Sequence, residues 1–416
     1  MKVGVIGLGY VGLPLAVAFA EAGTDVVGLD VDEGTVAALS RGESEIEDIP
    51  SERLEPLVDG PLVPTTDPAA LEDCDAIVIC VPTPLAHQRE PDLSYVDAAG
   101  HTVAKILRQG QLVVLESTTY PGTTRERLAP ILEASGLKAG ADFHLAFSPE
   151  RIDPGRTDFT VRTTPKVVGG LTQACCERAV ELYGLICDNV VVVSSPEVAE
   201  FTKLHENIFR SVNIALVNEL AVLSDRMGID VWEVVEAASS KPFGFMRFDP
   251  GPGMGGHCLP IDPFYLAFKA REYDLSTEFI ELAGRVNQAQ PHFCVERTIR
   301  ALNDVGKAAK GSRVLLLGVS YKAGIGDMRE SPALKIGRML SELGAEVSYH
   351  DPHVPDVPEL GLESVPLDGA LEATDLVVIV TAHEEFDIAD VVAQAPRVLD
   401  LRGVTRGIEA ENVVRL

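Results

Sequence analysis

A glycine-rich turn near the start of the chain limits the fold more than any other feature. The sequence Gly7-Leu-Gly-Tyr-Val-Gly12 follows a short apolar run at 2–7 and opens an apolar-rich helical pattern at 10–22. Between a strand and a helix, such glycines allow a tight turn and the close approach of a pyrophosphate, which the helix N-terminus attracts. The pattern therefore predicts the first βαβ unit of a Rossmann-type sheet. The residues expected at the phosphates are Gly7, Gly9, Tyr10, Val11 and Gly12.

An acidic residue after the second strand pattern indicates which dinucleotide is bound. Asp30 lies near the end of the run 25–31, about twenty residues beyond the turn. A carboxylate there can accept a hydrogen bond from the adenosine ribose 2′-hydroxyl and would repel a 2′-phosphate, so we expect NAD rather than NADP. Loops that end later strands lie at the sheet edge where doubly wound folds bind ligands. They add Pro82, Thr83, Ser117 and Thr118 to the expected cofactor site.

Strand and helix patterns divide the chain into three parts. Buried-strand patterns recur through the first part and return in the last, whereas long helical patterns fill the middle. We predict an α/β fold in which two Rossmann-like, doubly wound sheet domains are joined by a central helical domain. The expected domains are 1–195 (NAD-binding), 196–309 (helical) and 310–416 (second α/β). Strands are expected at 2–7, 25–31, 76–81, 111–116, 166–169, 190–193, 313–318, 346–349, 376–380 and 398–401.

Charge and cysteine content exclude several classes of protein. The net charge of −28 argues against a nucleic-acid or anionic-membrane surface, so a phosphate-bearing ligand needs locally placed cations and helix N-termini. Seven cysteines without a Cys-x-x-Cys pair suggest neither a disulfide framework nor a zinc site, and we predict no metal. The chain opens with a strand pattern rather than a signal peptide, and its apolar runs are of strand length. We expect a soluble cytoplasmic protein that binds neither nucleic acid nor membrane.

A lone cysteine in a glycine-rich loop is a candidate nucleophile. Cys258 follows Gly251-Pro-Gly-Met-Gly-Gly-His, and the carboxylate of Asp262 comes four positions after it. Glycines let the backbone approach the thiol closely and let it face a pocket, and reactive thiols need neighbours that manage their protons. An inert, buried cysteine in a Gly/Pro turn explains this segment alone equally well.

The helical pattern at 197–227 carries an unusual polar face. Lys203, Asn207 and position 218 share one side of the helix, between apolar residues. Because unsatisfied polar groups are costly in a core, this face is either a partly solvated ridge or a set of donors for a developing oxyanion. Arg210 and Asn213 belong to the same segment and are candidate sugar-binding residues.

Two further polar segments follow strand patterns. Ser148-Pro-Glu150-Arg151 offers Glu150 as a base or a water-orienting carboxylate, with an ordinary solvated loop acid as the alternative. Lys322 and Arg329 follow the first strand of the last domain, where a phosphate site is expected. A charged surface loop is the alternative there.

In order and spacing, these segments resemble the UDP-glucose/GDP-mannose dehydrogenase family over essentially the whole chain. The shared motifs are the glycine-rich start, Ser-Pro-Glu, the helix with Lys203 and Asn207, Gly-Gly-x-Cys-x-x-x-Asp, and Ser-Tyr-Lys followed by Asp-x-Arg-Glu-Ser-Pro. The segments around Cys258 and Phe279 are most similar to UDP-N-acetylhexosamine enzymes, especially UDP-N-acetylglucosamine 6-dehydrogenases. Glucose-oxidising members usually have a lysine where this chain has Ile261.

The resemblance implies a four-electron oxidation of a sugar C6 alcohol to a carboxylate, with two NAD and one water. Cys258 would form a thiohemiacetal and then a thioester, while Asp262 would assist removal of the hydroxyl proton. Lys203 and Asn207 would stabilise the oxyanion.

The same resemblance implies further binding roles and an assembly. Glu150 and Thr118 would position the hydrolytic water, Lys322 would contact the nucleotide sugar, and Arg329 would contact NAD. Pairing through the central helices would give a homodimer or a higher oligomer. The implied substrate-binding set is Glu150, Arg151, Lys203, Asn207, Arg210, Asn213, Phe245, Gly255 and Lys322.

Several alternatives stay open at this point. The sugar of the substrate could be N-acetylmannosamine or glucose in place of N-acetylglucosamine, and the pathway served is not fixed. A two-electron NAD-linked hydroxyacid dehydrogenase would share the N-terminal domain, but it needs neither Cys258 nor a nucleotide site in 310–416. A non-catalytic nucleotide-sugar sensor would leave the thiol position unconstrained.

Overall fold

A computed structural model describes residues 1–86, 90–153, 158–256 and 261–416. Cys258, the predicted nucleophile, lies outside the described residues. The chain forms two compact units, Met1–Glu206 with Phe264–Ser276, and Asn207–Pro263 with Thr277–Leu416. The division falls within a single long helix, so the segment predicted as the central domain contributes to both units.

The first unit is built on an eight-stranded sheet. Its strands are β1 (Lys2–Ile6), β2 (Asp25–Leu29), β3 (Leu62–Thr65), β4 (Ala76–Ile79), β5 (Leu112–Leu115), β6 (His144–Phe147), β7 (Lys166–Gly170) and β8 (Val190–Val193). The spatial order is β3-β2-β1-β4-β5-β6-β7-β8, and every neighbouring pair is parallel except β6 with β7. The order of the first six strands is that of dinucleotide-binding sheets, with the crevice between β1 and β4.

Helices cover this sheet. They are α1 (Gly12–Glu21), α2 (Glu33–Ser40), α3 (Ser51–Val58), α4 (Ser94–Ile106), α5 (Ala129–Glu133) and α6 (Gln173–Tyr183). The central strands β4 and β5 are short runs of aliphatic residues that are buried along their whole length, as expected of parallel strands covered on both faces. The core includes Val5, Phe19, Val78 and Leu182.

Long helices occupy the middle of the chain, as predicted. Helix α7 (Pro196–Met227) begins in the first unit and ends in the second, and α9 (Asp262–Ala270) begins in the second and continues in the first. Helices α8 (Val231–Ser239) and α10 (Glu278–Asn303) belong to the second unit.

The second unit contains a smaller parallel sheet. Its strands are β9 (Arg313–Leu317), β10 (Glu346–His350), β13 (Leu376–Ile379), β14 (Val398–Asp400) and β15 (Val413–Arg415), and β11 (Asp356–Val357) pairs with β12 (Leu362–Glu363) in a separate hairpin. The sheet order is β10-β9-β13-β14-β15. Helices α11 (Pro332–Glu342), α12 (Ala370–Ala373) and α13 (Ile388–Gln394) accompany it. The core includes Trp232, Leu316, Ile336 and Val378.

The predicted fold class is confirmed, with two Rossmann-like sheets and a helical region between them in sequence. The sequence analysis does not predict β3, β6, β11, β12 or β15. Strand β3 contains Pro64 and lies at the edge of the sheet, where a missing N–H is tolerated. Within the described parts of the chain, no helix combines the length and the apolar character needed to cross a bilayer.

Candidate active site

The glycine-rich turn of the first unit is shaped by contacts that exclude side chains at two of its glycines. Gly7 has a φ of 90°, and a Cβ there would lie 2.8 Å from the carbonyl oxygen of Cys80. A Cβ on Gly12, the first residue of α1, would lie 1.7 Å from the carbonyl oxygen of Gly7. At Gly9, by contrast, a Cβ would meet nothing within 4 Å. The turn therefore needs Gly7 and Gly12 for its own packing, whereas Gly9 leaves open space for a ligand.

Asp30 holds this turn in place. Its Oδ2 accepts a hydrogen bond from the Leu8 amide at 2.7 Å, and its Oδ1 accepts one from the Asp32 amide at 3.0 Å. Each carboxylate oxygen has a further lone pair, and the side chain is only half-buried. The open space at Gly9 and the remaining acceptor capacity of Asp30 fit a pyrophosphate and a ribose. Tyr10 is exposed beside the turn, and Val11 caps α1.

The loops after β4 and β5 are fixed by hydrogen bonds at the same edge of the sheet. Ser117 donates its hydroxyl to the carbonyl oxygen of Val81 at 2.7 Å, and Tyr265 donates its phenol to that of Thr83 at 2.6 Å. Thr83 and Ser117 are buried, whereas Thr118 is half-buried. Because β1 lies between β2 and β4, the glycine-rich turn and the loop after β4 meet at the crevice. Pro82 is exposed there.

A buried charge cluster lies behind the Ser-Pro-Glu segment. The Lys166 ammonium contacts a carboxylate oxygen of Glu116 and, at 2.9 Å, Oε2 of Glu150. Tyr183 donates its phenol to Glu116 at 2.6 Å. The sequence analysis does not single out Lys166, Glu116 or Tyr183. A usable signal is present in the sequence, since Lys166 is the one charged residue of strand β7 and Glu116 directly follows the wholly apolar strand β5.

Glu150 is also held through its backbone. Lys203 donates to the Glu150 carbonyl oxygen at 2.6 Å, which brings these two predicted site residues together. Arg151 does not point to an open site, because its guanidinium contacts Glu206 at 2.7 Å and the carbonyl oxygen of Pro165 at 2.7 Å.

In the second unit, a buried amide–carboxylate pair joins α7 to the start of α9. Asn207 donates its amide to Oδ2 of Asp262, and both side chains are at most 5% exposed. The partly solvated ridge considered from the sequence is therefore wrong for Asn207. Arg210 and Phe245 are exposed, and Asn213 donates its amide to the carbonyl oxygen of Phe209 on its own helix.

The loop that leads to Cys258 is anchored by two buried asparagines. The Gly251 amide donates to Asn218 at 3.0 Å, and Asn218 in turn donates to Asn287 on α10 at 3.2 Å. Gly255 packs against the residues after β9, since a Cβ there would lie 2.8 Å from the Cβ of Tyr321. The polar face of α7 thus shapes the loop as well as supplying candidate catalytic groups.

The loop after β9 carries the two predicted cations. Lys322 is half-buried, and the guanidinium of Arg329 pairs with Asp327 through contacts of 2.6 to 3.0 Å. The Gly256 amide donates to the Arg329 carbonyl oxygen at 2.9 Å, so this loop and the one leading to Cys258 support each other.

These features define a dinucleotide-dependent oxidoreductase, and comparisons with known proteins agree. Three models of the UDP-glucose/GDP-mannose dehydrogenase family match: the NAD binding domain over residues 1–186, the central domain over 197–289 and the UDP binding domain over 315–407. The chain belongs to this family and is an NAD-dependent nucleotide-sugar dehydrogenase. The predictions of family, enzyme class and cofactor are therefore confirmed.

Individual relatives match along almost the whole chain. A UDP-N-acetyl-D-mannosamine dehydrogenase of Pyrococcus horikoshii is 37% identical over 389 residues, which cover 93% of this chain and 90% of that protein. A UDP-N-acetyl-D-glucosamine 6-dehydrogenase of Pseudomonas aeruginosa is 37% identical over 393 residues, which cover 93% and 91%. The solved structure of UDP-D-ManNAc dehydrogenase from Pyrococcus horikoshii superimposes with a TM-score of 0.90 at 33% identity, covering 100% of this chain and 98% of that one.

Proposed function

We propose that this protein oxidises the C6 hydroxyl of a UDP-N-acetylhexosamine, with UDP-N-acetylglucosamine as the favoured substrate, to the uronate. The observation that carries this proposal is the buried Asn207–Asp262 pair at the end of the loop that contains Cys258. It combines a proton acceptor and an amide donor, and Asp262 follows the candidate nucleophile Cys258 by only four positions in the sequence. An alcohol-to-acid oxidation requires this set of groups, and a two-electron hydroxyacid oxidation does not. NAD, held by the glycine-rich turn and Asp30, supplies the hydride acceptor.

The proposed chemistry assigns a role to each residue. Asp262 takes the hydroxyl proton, directly or through a water, as the first hydride leaves. The Cys258 thiolate adds to the aldehyde, and the resulting thiohemiacetal loses the second hydride to become a thioester. Lys203 and Asn207 donate to the oxyanion. Retention of the aldehyde on sulfur prevents release of a reactive intermediate.

Hydrolysis completes the reaction. Water adds to the thioester carbon, the carbon–sulfur bond breaks, and the carboxylate leaves with Cys258 restored. Glu150 and Thr118 are proposed to position this water, supported by the contact between Lys203 and the Glu150 carbonyl oxygen.

Substrate and cofactor contacts beyond these residues are also proposals. Lys322 is expected at the nucleotide sugar and Arg329 at NAD. The proposed sugar-binding roles of Arg151, Arg210, Asn213, Phe245 and Gly255 gain no support from their contacts, since Arg151 pairs with Glu206 and Gly255 packs on Tyr321.

The sugar itself is a choice among close alternatives. The mannosamine and glucosamine relatives above are equally identical to this chain. Ile261 in place of the lysine typical of glucose enzymes favours an N-acetylated sugar over glucose. A panel of UDP- and GDP-sugars assayed for NADH formation is expected to give the highest kcat/KM with UDP-N-acetylglucosamine. A higher kcat/KM for UDP-glucose would overturn the N-acetylhexosamine assignment.

We also propose a homodimer or higher oligomer that acts in the cytoplasm. Exposed apolar side chains recur along one face of α7 in the second unit, and they are Phe209, Leu216, Leu220, Leu223 and Met227. Such a stripe is suited to pairing with a second copy. Light scattering should show a shift to monomer for Leu216→Glu/Leu223→Glu, whereas Glu219→Lys on the same helix should keep the oligomer. The six cysteines among the described residues are free thiols, which fits a reducing compartment.

The catalytic assignment is tested at two residues. Cys258→Ser should abolish formation of the acid, because a serine hydroxyl stays protonated at neutral pH and its alkoxide is a poorer leaving group than a thiolate. Asn207→Ala should lower kcat by about 100-fold through loss of an oxyanion donor, whereas His205→Ala, at an exposed position of α7, should not. Full acid production by the Ser variant would remove Cys258 from the mechanism.

A further inference from the structure

Three polar side chains that the proposed reaction does not use form a cluster with Glu150 in the first unit. Lys166, at the start of β7, lies between Glu116 after β5 and Glu150 after β6. Tyr183, from the end of α6, closes the far side through its bond to Glu116. Lys166, Glu116 and Tyr183 are each at most 5% exposed. A cation with two carboxylates in such a place is costly to bury, so the arrangement calls for a function beyond stability.

The cluster leaves Glu150 very little freedom. Its Oε1 accepts the amides of Arg151 at 2.7 Å and Ile152 at 2.6 Å, and its Oε2 accepts Lys166 at 2.9 Å. Its carbonyl oxygen accepts Lys203. Only 17% of the Glu150 side chain is exposed, so little of the carboxylate is accessible to water or a ligand.

Charge in the cluster favours ionised Glu150. Burial alone would raise the pKa of Glu150. The positive charge of Lys166 and the hydrogen bonds that the Glu150 carboxylate accepts lower that pKa well below the usual range. Burial raises the pKa of Glu116, which Lys166 only partly offsets. Among the described residues, the ammonium of Lys203 also lies at this cluster, against the Glu150 carbonyl oxygen. Burial raises the pKa values of the nearby thiols of Cys80 and Cys187, which stay neutral.

We propose that Lys166 is a positioning residue that fixes the Glu150 carboxylate as an ionised acceptor, so that Glu150 orients the hydrolytic water without taking its proton. This inference rests on the proposed function. A carboxylate held by two amides and an ammonium is a weak base, and its remaining lone pairs can align a water by accepting one of its protons in a hydrogen bond. Glu116 contacts Lys166 from the other side and is assigned no contact with the substrate.

The hydrolytic step then balances without a protonated Glu150. The water oxygen bonds to the acyl carbon as the carbon–sulfur bond breaks and the thiolate leaves. Of the two water protons, one is taken up by the sulfur and the other goes to solvent. The sequence analysis offered Glu150 as either a base or a water-orienting carboxylate, and the cluster favours the second role.

A double variant isolates the Lys166–Glu150 contact. Glu116→Gln/Lys166→Met removes the buried ammonium and one carboxyl group together, which avoids two facing carboxylates in the core. Glu116→Gln alone is the matched control, because it keeps Lys166 on Glu150. Both variants are compared with the unaltered enzyme, using the best UDP-sugar. Two quantities are measured for each protein, the rapid NADH burst and the steady-state rate of NADH formation.

The expected result is specific to hydrolysis. The double variant should keep the burst, lower kcat by 10- to 100-fold with KM within about threefold, and accumulate an acyl adduct visible in the intact mass. Without Lys166, burial raises the pKa of Glu150, so the acid limb of kcat should move to higher pH. The control should keep kcat within about threefold and gain no adduct.

Other outcomes contradict the inference separately from the proposed function. A double variant with wild-type kcat and an unmoved acid limb would show that Lys166 is structural only. If the double variant does not fold, the control decides, since a tenfold fall in kcat for folded Glu116→Gln would make Glu116 rather than Lys166 the important group. No NADH from the unaltered enzyme with any nucleotide sugar would instead reject the proposed function.

Discussion

Each unit places a glycine directly after one strand and an aspartate after the neighbouring strand. In the first unit the Gly7 amide donates to the Leu29 carbonyl oxygen at 2.8 Å, and in the second the Gly318 amide donates to that of His350 at 2.9 Å. Both glycines have positive φ, and a Cβ on Gly318 would lie 2.1 Å from the Thr381 carbonyl oxygen. The two turns are therefore built from the same local contacts.

The aspartates are used differently. Asp30 is half-buried and receives two amides, whereas Asp351 is buried and receives the amides of Val319, Ser320 and His353 at 2.7 to 3.1 Å. Asp351 also accepts Nε2 of His383 at 3.0 Å. Because the Gly324 amide donates to Nδ1 of that ring, Nε2 carries the proton. The carboxylate of Asp351 therefore uses its acceptor capacity for backbone amides and His383 of its own unit.

The continuation of the chain differs as well. In the first unit, α1 begins at Gly12 immediately after the turn, so the helix N-terminus can face a pyrophosphate. In the second unit, α11 begins only at Pro332, after a long loop that carries Lys322 and Arg329. A glycine and an acid after adjacent strands are therefore not sufficient for a ribose site. The acid must keep acceptor capacity, and a helix must start at the turn.

The largest contrast is expected in stability. Asp351→Ala leaves His383 and several amides without their buried acceptor and should lower the free energy of unfolding of the second unit by about 3–5 kcal/mol. Trp232, the one tryptophan of the chain, is buried in that unit, so its fluorescence in urea follows this loss. Asp30→Ala should cost about 1–2 kcal/mol and leave the tryptophan transition in place. If Asp351→Ala and Asp30→Ala shifted the urea midpoint of that transition equally, the proposed difference between the two aspartates would be wrong.

The two glycines of the first turn should separate folding from binding. Gly12→Ala forces a Cβ against the Gly7 carbonyl oxygen. It should lower the free energy of unfolding by about 3 kcal/mol and also abolish NAD binding. Gly9→Ala enters open space, so circular dichroism should show an unchanged melting temperature while the Kd for NAD, measured by calorimetry, rises about tenfold. Normal NAD affinity in Gly9→Ala would place the pyrophosphate elsewhere.

Cofactor choice is expected to depend on Asp30. The unaltered enzyme should use NAD far better than NADP, and Asp30→Asn should narrow that gap about tenfold, mainly through a higher KM for NAD. Asp32→Asn is the matched control, because Asp32 is an exposed acid that caps α2 by accepting the Thr35 amide. If both variants narrow the gap equally, the effect is one of general charge and not of a ribose contact.

The sequence predicts much of this molecule because its local signals agree with the fold. Apolar strand runs and the glycine-rich turn indicate the class of sheet. Asn207 and Asp262 are each singled out because both belong to strong motifs, but their contact is not predicted. Lys166 and Asp351 are missed, since each is a single charged residue whose partners are distant in sequence. Burial and partner identity, which decide their roles, arise only when separate strands meet.

The count of hydrides tests the central claim most directly. One site that oxidises an alcohol and then a bound aldehyde should produce two NADH for each UDP-sugar consumed, with a uronate as product. An added carbonyl reagent should trap no aldehyde, because the intermediate stays on the enzyme. NADH absorbance combined with chromatography of the UDP-sugar gives the ratio in one experiment. A ratio of two supports the account, and a ratio of one would contradict the mechanism whichever sugar is used.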